Sequence, residues 1–285
     1  MQQNPKNALM AQYKALRRLH LAYLIAAILS LVLYFVDKRI TLTVLGASLI
    51  YYLALVRPRG KAYQKAYVHV CAQLTLERYL DDAVHTEAPT LNPDELRAVR
   101  LVAANGGRGS ILCREGGKGK RGGRLVRLGD VTFAHSFPME GKTHHEFVTG
   151  TWVTVELGRD TGLDWRLLHR RVMMKPSREK LLRENPDLQL AGEAGPAWVR
   201  EDWMVVRRQG TPDFPGNTCL EKLRAFAGHT SKAAAVCVLG TRLHVFIANR
   251  ILGQKVGVRE EPTEARVNLD RLPELRDILA IADCL

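Results

Sequence analysis

Cysteine is scarce in this chain, and what there is forms no pattern. Cys71, Cys113, Cys219, Cys237 and Cys284 are odd in number and widely spaced, without a CxxC pair. That excludes a disulfide-knotted scaffold, and in a reducing cytosol all five are expected as small, partly buried thiols. Catalytic signatures are missing too. There is no GxSxG nucleophile elbow and no helical HExxH pair. Gly141-Lys142-Thr143 falls short of a phosphate loop, because Ser136 stands where its first glycine is required and a strand, not a helix, is expected to follow. Aromatic residues make up 7% of the chain, and none lies between Gly106 and Arg127, its most basic stretch. Without stacking rings such a stretch offers single-stranded nucleic acid only salt-sensitive phosphate attraction.

What is present is a globular composition with an unevenly placed charge. Hydrophobic residues at 46% and charged residues at 25% are ordinary for a folded protein. The formal net charge is +13. Residues 1–56 hold six basic and one acidic residue, and residues 57–130 hold fourteen and eight. The last 155 residues hold twenty-two and twenty, so the surplus belongs to the first half.

That half contains two long apolar runs. Leu19–Val36 has eighteen residues without a formal charge, and Ile40–Val56 follows after Asp37-Lys38-Arg39. As helices they would extend roughly 25–27 Å, close to a hydrocarbon core of about 30 Å. Neither carries the polar stripe of a soluble amphipathic helix, so a transmembrane hairpin is predicted over 19–56. Lys6, Lys14, Arg17 and Arg18 precede it, and Arg57, Arg59, Lys61 and Lys65 follow it. The positive-inside bias then places both termini in the cytoplasm, and the flanking cations face anionic lipid headgroups.

The remainder reads as a cytoplasmic segment at 1–18, a juxtamembrane helical region at 57–103 and an α+β domain at 104–285. Pro58 and Gly60 are expected to break the second apolar helix, with a new helix over Lys61–Leu80. Asn92-Pro93 opens a short helix reaching about Ala103. Arg124–His135, His145–Leu157 and Trp198–Arg208 read as strands, with a bulge or turn at Gly129-Asp130. Thr218–Phe226 reads as a helix, and Ala234–Leu239 and Arg242–Ala248 as a hairpin about Gly240-Thr241. Leu275, Ile278, Leu279 and Ala282 share one face of a closing helix over Leu272–Leu285.

Asn105–Arg127 combines glycines with Arg108, Arg114, Lys118, Lys120, Arg121, Arg124 and Arg127, against Glu115 alone. Mobile backbone amides beside cations could hold an anion, whereas a solvated hairpin tip or mobile loop would have the same composition. His135, His144, His145 and His169 with Glu146 lack metal-ligand spacing and are expected at the surface. No metal, cofactor or catalytic residue is assigned.

The order of features also resembles a known family. A cation-flanked apolar hairpin leads into a Tyr-rich helix. A Gly-rich segment precedes GDVTF, followed by FVTGTWVTVEL, WMVVRRQGTPDFPGNTCLEKLRAF and AAAVCVLGTRLHVFIANR. This is similar to the bacterial membrane-protein family catalogued as domain of unknown function 3137. The resemblance implies a bacterial inner-membrane protein and supplies no catalytic residues. The expected role is a binding or scaffolding domain on a two-helix anchor, partnered by the bilayer and by another membrane or cytoplasmic protein. The alternative is a tethered enzyme or anion sensor using 106–127.

Overall fold

The computed structural model describes residues 5–105, 109–190, 203–211, 217–230, 232–253, 257 and 260–285. The chain divides into two compact units, Met1–Leu74 with Gln254–Leu269, and Thr75–Gly253 with Asp270–Leu285.

The first unit is helical. Helix α1 spans Pro5–Leu33 and α2 spans Lys38–Tyr51, with the Asp37 carboxylate accepting the Arg39 N–H at 2.7 Å to cap α2. Helix α2 does not end before Arg57. A π-helical turn over Tyr52–Val56 joins it to α3, Arg57–Glu77, and Lys38–Glu77 is one helix of 40 residues. The expected break at Pro58 and Gly60 is therefore absent. Proline lacks an N–H and crowds the carbonyl a turn earlier, and the π-turn absorbs both by shifting the hydrogen bonds. The Arg57 N–H accordingly donates to the Tyr52 carbonyl, five residues back.

Two helices of the chain are long and apolar enough to cross a membrane, Pro5–Leu33 and Lys38–Glu77. Their most apolar stretches are only 11% and 17% buried. Leu21, Ile28, Leu31, Phe35, Leu42 and Ile50 are among the many large apolar side chains left exposed between Leu21 and Leu55. The hydroxyls of the buried Ser30, Thr41 and Ser48 turn back to carbonyls of their own helical stretch, at 2.8–2.9 Å. Beyond the apolar part, Leu9, Leu16, Val56, Tyr63, Tyr67, Cys71 and Val267 form a small core. Val267 comes from the short helix α7, Glu264–Val267.

The second unit is built on a nine-stranded antiparallel sheet, in the order β1-β2-β3-β4-β9-β8-β5-β7-β6. Its strands are β1 Asp81–Thr86, β2 Ile111–Arg121, β3 Arg124–Met139, β4 Lys142–Glu156, β5 Asp164–His169, β6 Leu188–Leu190, β7 Trp203–Arg208, β8 Ala234–Leu239 and β9 Arg242–Ile247. Its helices are α4 Pro93–Val99, α5 Lys175–Glu184, α6 Asn217–His229 and α8 Glu274–Cys284. The result is an α+β domain. On one face, Val131, Phe133, Val148, Trp152, Leu168, Val206, Cys237 and Phe246 form a core with Leu96 and Val99 of α4 and Leu181 of α5. Residues of opposite parity, such as Leu128, Val153, Val236 and Val245, are just as buried.

Several local expectations shift. Helix α4 stops at Val99, short of Ala103, because Arg100 turns left-handed at φ 54°. The irregularity expected at Gly129-Asp130 lies in the partner strand. β3 runs through unbroken while β2 is bulged between Cys113 and Gly116. Trp198–Asp202 lies outside the described residues.

Candidate functional site

The basic Gly-rich segment is not a loop. Its described residues form β2 and the start of β3, joined by Gly122-Gly123 with both residues at positive φ, 55° and 79°. A two-residue turn with that backbone favours glycine for steric reasons alone. The other glycines are small because neighbours press on them. A Cβ at Gly117 would lie 2.5 Å from Leu76 Cδ1, and one at Gly119 would lie 2.8 Å from Leu80 Cβ. Gly116 is closed off in the same way by Thr90, whose hydroxyl donates to the Leu128 carbonyl at 2.6 Å. These glycines let the end of α3 and the segment before α4 approach the sheet.

The cations of this segment are divided in use. Arg127 pairs with Glu95 of α4 at 3.2 Å, and Arg242 meets the same carboxylate oxygen at 2.7 Å. Arg124 pairs with Asp283 and donates to the Ala282 carbonyl at 2.8 Å, tying β3 to α8. Lys120 lies 3.5 Å from Asp82, with both side chains mostly exposed. Arg114, Lys118 and Arg121 are exposed, and Arg108 lies outside the described residues. Two of the seven candidate cations are thus structural, and the strand does not gather the others into a cradle.

The histidines separate rather than converge. His144 pairs across from Phe137 and His145 from Ser136, so the two point to opposite faces of β4. His145 lies 2.9 Å from the Ser136 hydroxyl, and Glu146 accepts the Met174 N–H at 2.8 Å and the Ser177 hydroxyl, fixing the start of α5. His135 departs from the surface expectation. It is buried, it stacks on Phe137, and neither ring nitrogen has a hydrogen-bond partner. Burial, then the Lys180 ammonium, holds it below the usual histidine range. Among the described residues no group of three or more His, Cys, Asp or Glu could hold a metal ion.

The cysteines require a correction. Cys219 of α6 and Cys284 at the end of α8 form a disulfide, with Cα atoms 5.6 Å apart. Their spacing of 65 residues hid the pair, since only the packing of α6 on α8 brings them together. Cys71, Cys113 and Cys237 are free. Burial pushes the Cys113 thiol up to about 11 and the Cys237 thiol up to about 12, so both stay protonated and unreactive near neutrality.

Sequence reasoning missed the buried charges. Arg166 is 1% exposed and donates to the Val99 carbonyl at 2.9 and 3.0 Å and to Asp164 at 2.6 Å. Arg208 then bridges Asp164 and Asp187, each at 3.2 Å, and Asp187 also receives Arg100 at 2.9 Å. Asp130, 1% exposed, accepts from the Thr151 hydroxyl at 2.6 Å and from the Gly253 N–H at 2.7 Å. These arrangements tie loops to the sheet and leave no open position for a reactant. The useful signal was GDVT, where an acid interrupts an otherwise apolar strand.

The cations flanking the apolar runs lie at one end of the helical hairpin. Lys14, Arg17 and Arg18 are exposed on α1, as are Arg57, Arg59 and Lys61 at the start of α3. No family model and no curated protein matches the chain. The resemblance to domain of unknown function 3137 therefore stands on its quoted segments. Among solved structures, the crystal structure of the mycobacterial trehalose monomycolate transport factor A is similar at 14% identity and a TM-score of 0.38, covering 77% of this chain and 94% of that one. A likeness of that degree decides neither the fold nor the role of this chain, which rest on its own residues.

Proposed function

We propose that this chain is an integral protein of a bacterial inner membrane, in which an apolar helical hairpin anchors an α+β domain that binds or scaffolds a protein partner. The observation that carries the anchor is the exposure of its most apolar helical stretches, which are only 11% and 17% buried. Leaving so much contiguous apolar surface in water is disfavoured by roughly 25 cal/mol per Å², and a bilayer removes that cost. Alkaline carbonate washing of membranes tests it. The anchor predicts that the chain stays in the pellet until detergent is added, and release into the wash would refute it.

The partner surface is supported by one face of the β2–β4 region. Leu112 pairs with Thr132, Thr132 with Thr149, and Ala134 with Phe147, so their side chains share that face. Leu112 is 47% and Phe147 70% exposed there. A photo-crosslinking residue at Phe147 should trap a defined protein in native membranes, whereas one at the exposed Lys175 should not. Equal, diffuse labelling from both positions would count against a partner surface.

Orientation has two readings. The flanking cations favour both termini in the cytoplasm. The Cys219–Cys284 bridge favours the reverse, since disulfides persist in oxidising compartments. A reporter fused after Leu285 separates them, being active only on the side where the domain resides.

A further inference from the structure

The cationic end of the hairpin contains a cavity that the anchor itself does not require. It has a volume of about 250 Å³ and is lined by His20, Tyr52, Val56, Arg57, Gly60, Lys61 and Gln64. That is below the usual range of roughly 300–1,000 Å³ for drug-sized ligands, so it suits a single polar headgroup. Arg57, Lys61 and Gln64 stand at i, i+4 and i+7, one stripe of α3, while His20 reaches the cavity from α1. Val56, 1% exposed, gives it an apolar wall. The lining includes no carboxylate. Among the described residues neither Arg57 nor Lys61 has an ion-pair partner, and both are exposed.

The location narrows the ligand. The first apolar run begins at Leu19 and the second ends at Val56, so the cavity lies where the hairpin changes from apolar to cationic. A ligand there meets two cations at one end and exposed aliphatic surface at the other. The Tyr52 ring contacts Tyr23 at 5.1 Å and leaves an aromatic pair beside the cavity, as is common at headgroup depth. An acidic phospholipid has that polarity: a phosphate for the cations and acyl chains for the apolar helices.

We propose that this cavity is a binding site for the phosphate of an acidic membrane lipid, with Arg57 and Lys61 as its charge partners and Tyr52 and Gln64 as neutral donors. This rests on the anchor reading and goes beyond general attraction to an anionic leaflet, because it assigns one lipid to a few named residues.

The test uses the full chain, delipidated in detergent and placed in nanodiscs of phosphatidylcholine with or without phosphatidylglycerol. Native mass spectrometry then counts retained phosphatidylglycerol. The wild type should retain one lipid, and Arg57→Gln with Lys61→Gln should weaken retention by about tenfold or more. Lys14→Gln with Arg59→Gln removes the same charge outside the cavity and should change retention by less than about twofold. Equal losses in the two variants would overturn the site in favour of diffuse surface charge, as would no loss in either. Displacement of the lipid by millimolar inorganic phosphate would reassign the cavity to a soluble anion and overturn the lipid. Unchanged circular dichroism of both variants secures the comparison. Solubility of the wild type without detergent would instead defeat the anchor, so the two failures are distinguishable.

Discussion

Burial at His244 has a measurable pH signature. Its ring accepts from the Trp152 indole N–H at 3.4 Å and lies 3.3 Å from the Thr154 hydroxyl. Burial, with Arg242, Arg127 and Arg166 adding repulsion, pushes it down to about 3. In the unfolded chain the same imidazole takes a proton near 6.5. Protonation therefore favours the unfolded state, and this residue's contribution is intact above about pH 6.5 and lost progressively toward pH 3. Denaturant midpoints measured across that window should fall with pH, and less steeply in His244→Asn. Identical slopes would mean that the ring is solvated. Neither this histidine nor Asp130 was legible as buried in the sequence. A polar residue inside an apolar strand shows its role only when cross-strand partners such as Trp152 and Thr151 are in place.

At the scale of single elements, the sequence was most readable where the cause is local. The Asn92 cap, the Gly240-Thr241 turn and the spacing of Leu275, Ile278 and Leu279 depend on a few adjacent residues. The Gly-rich strand was harder to read, since its glycines answer to Leu76, Leu80 and Thr90, which are distant in sequence. Gly117→Ala should accordingly cost about 1–3 kcal/mol through the clash with Leu76, seen as a lower denaturation midpoint. Trimming the neighbour in Leu76→Ala should recover part of that loss. The hairpin cations give a separate expectation. Reversing Lys118, Lys120 and Arg121 to Glu should leave the fold intact, because all three are exposed. If the strand also serves an anion, retention on polyphosphate resin should fall sharply, and unchanged retention would exclude that use.

For the whole molecule, the charge distribution foreshadowed an anchor and a nearly neutral remainder, whereas the sheet order could not be foreseen. β4 pairs with β9 and β5 with β8, so the centre of the sheet joins strands from opposite ends of the domain. Short-range patterns carry no record of such pairings. The disulfide belongs to this scale as well, since it closes a span of 65 residues between α6 and α8. Chain-entropy reasoning puts its contribution at about 4 kcal/mol. Adding reductant to the purified protein should lower its melting temperature by several degrees, and Cys219→Ser should abolish that response.

The π-turn at Tyr52–Val56 makes the long helix sensitive to its residue count. Each α-helical residue turns the chain by roughly 100°, so deleting Ala54 would convert the widened turn to ordinary helix at the cost of its rotational phase. Val56 and Tyr63, which face the small core, depend on that phase as much as Arg57 and Lys61 do. One surplus residue acts as an angular shim, setting where the cationic stripe faces without any change in the residues that form it.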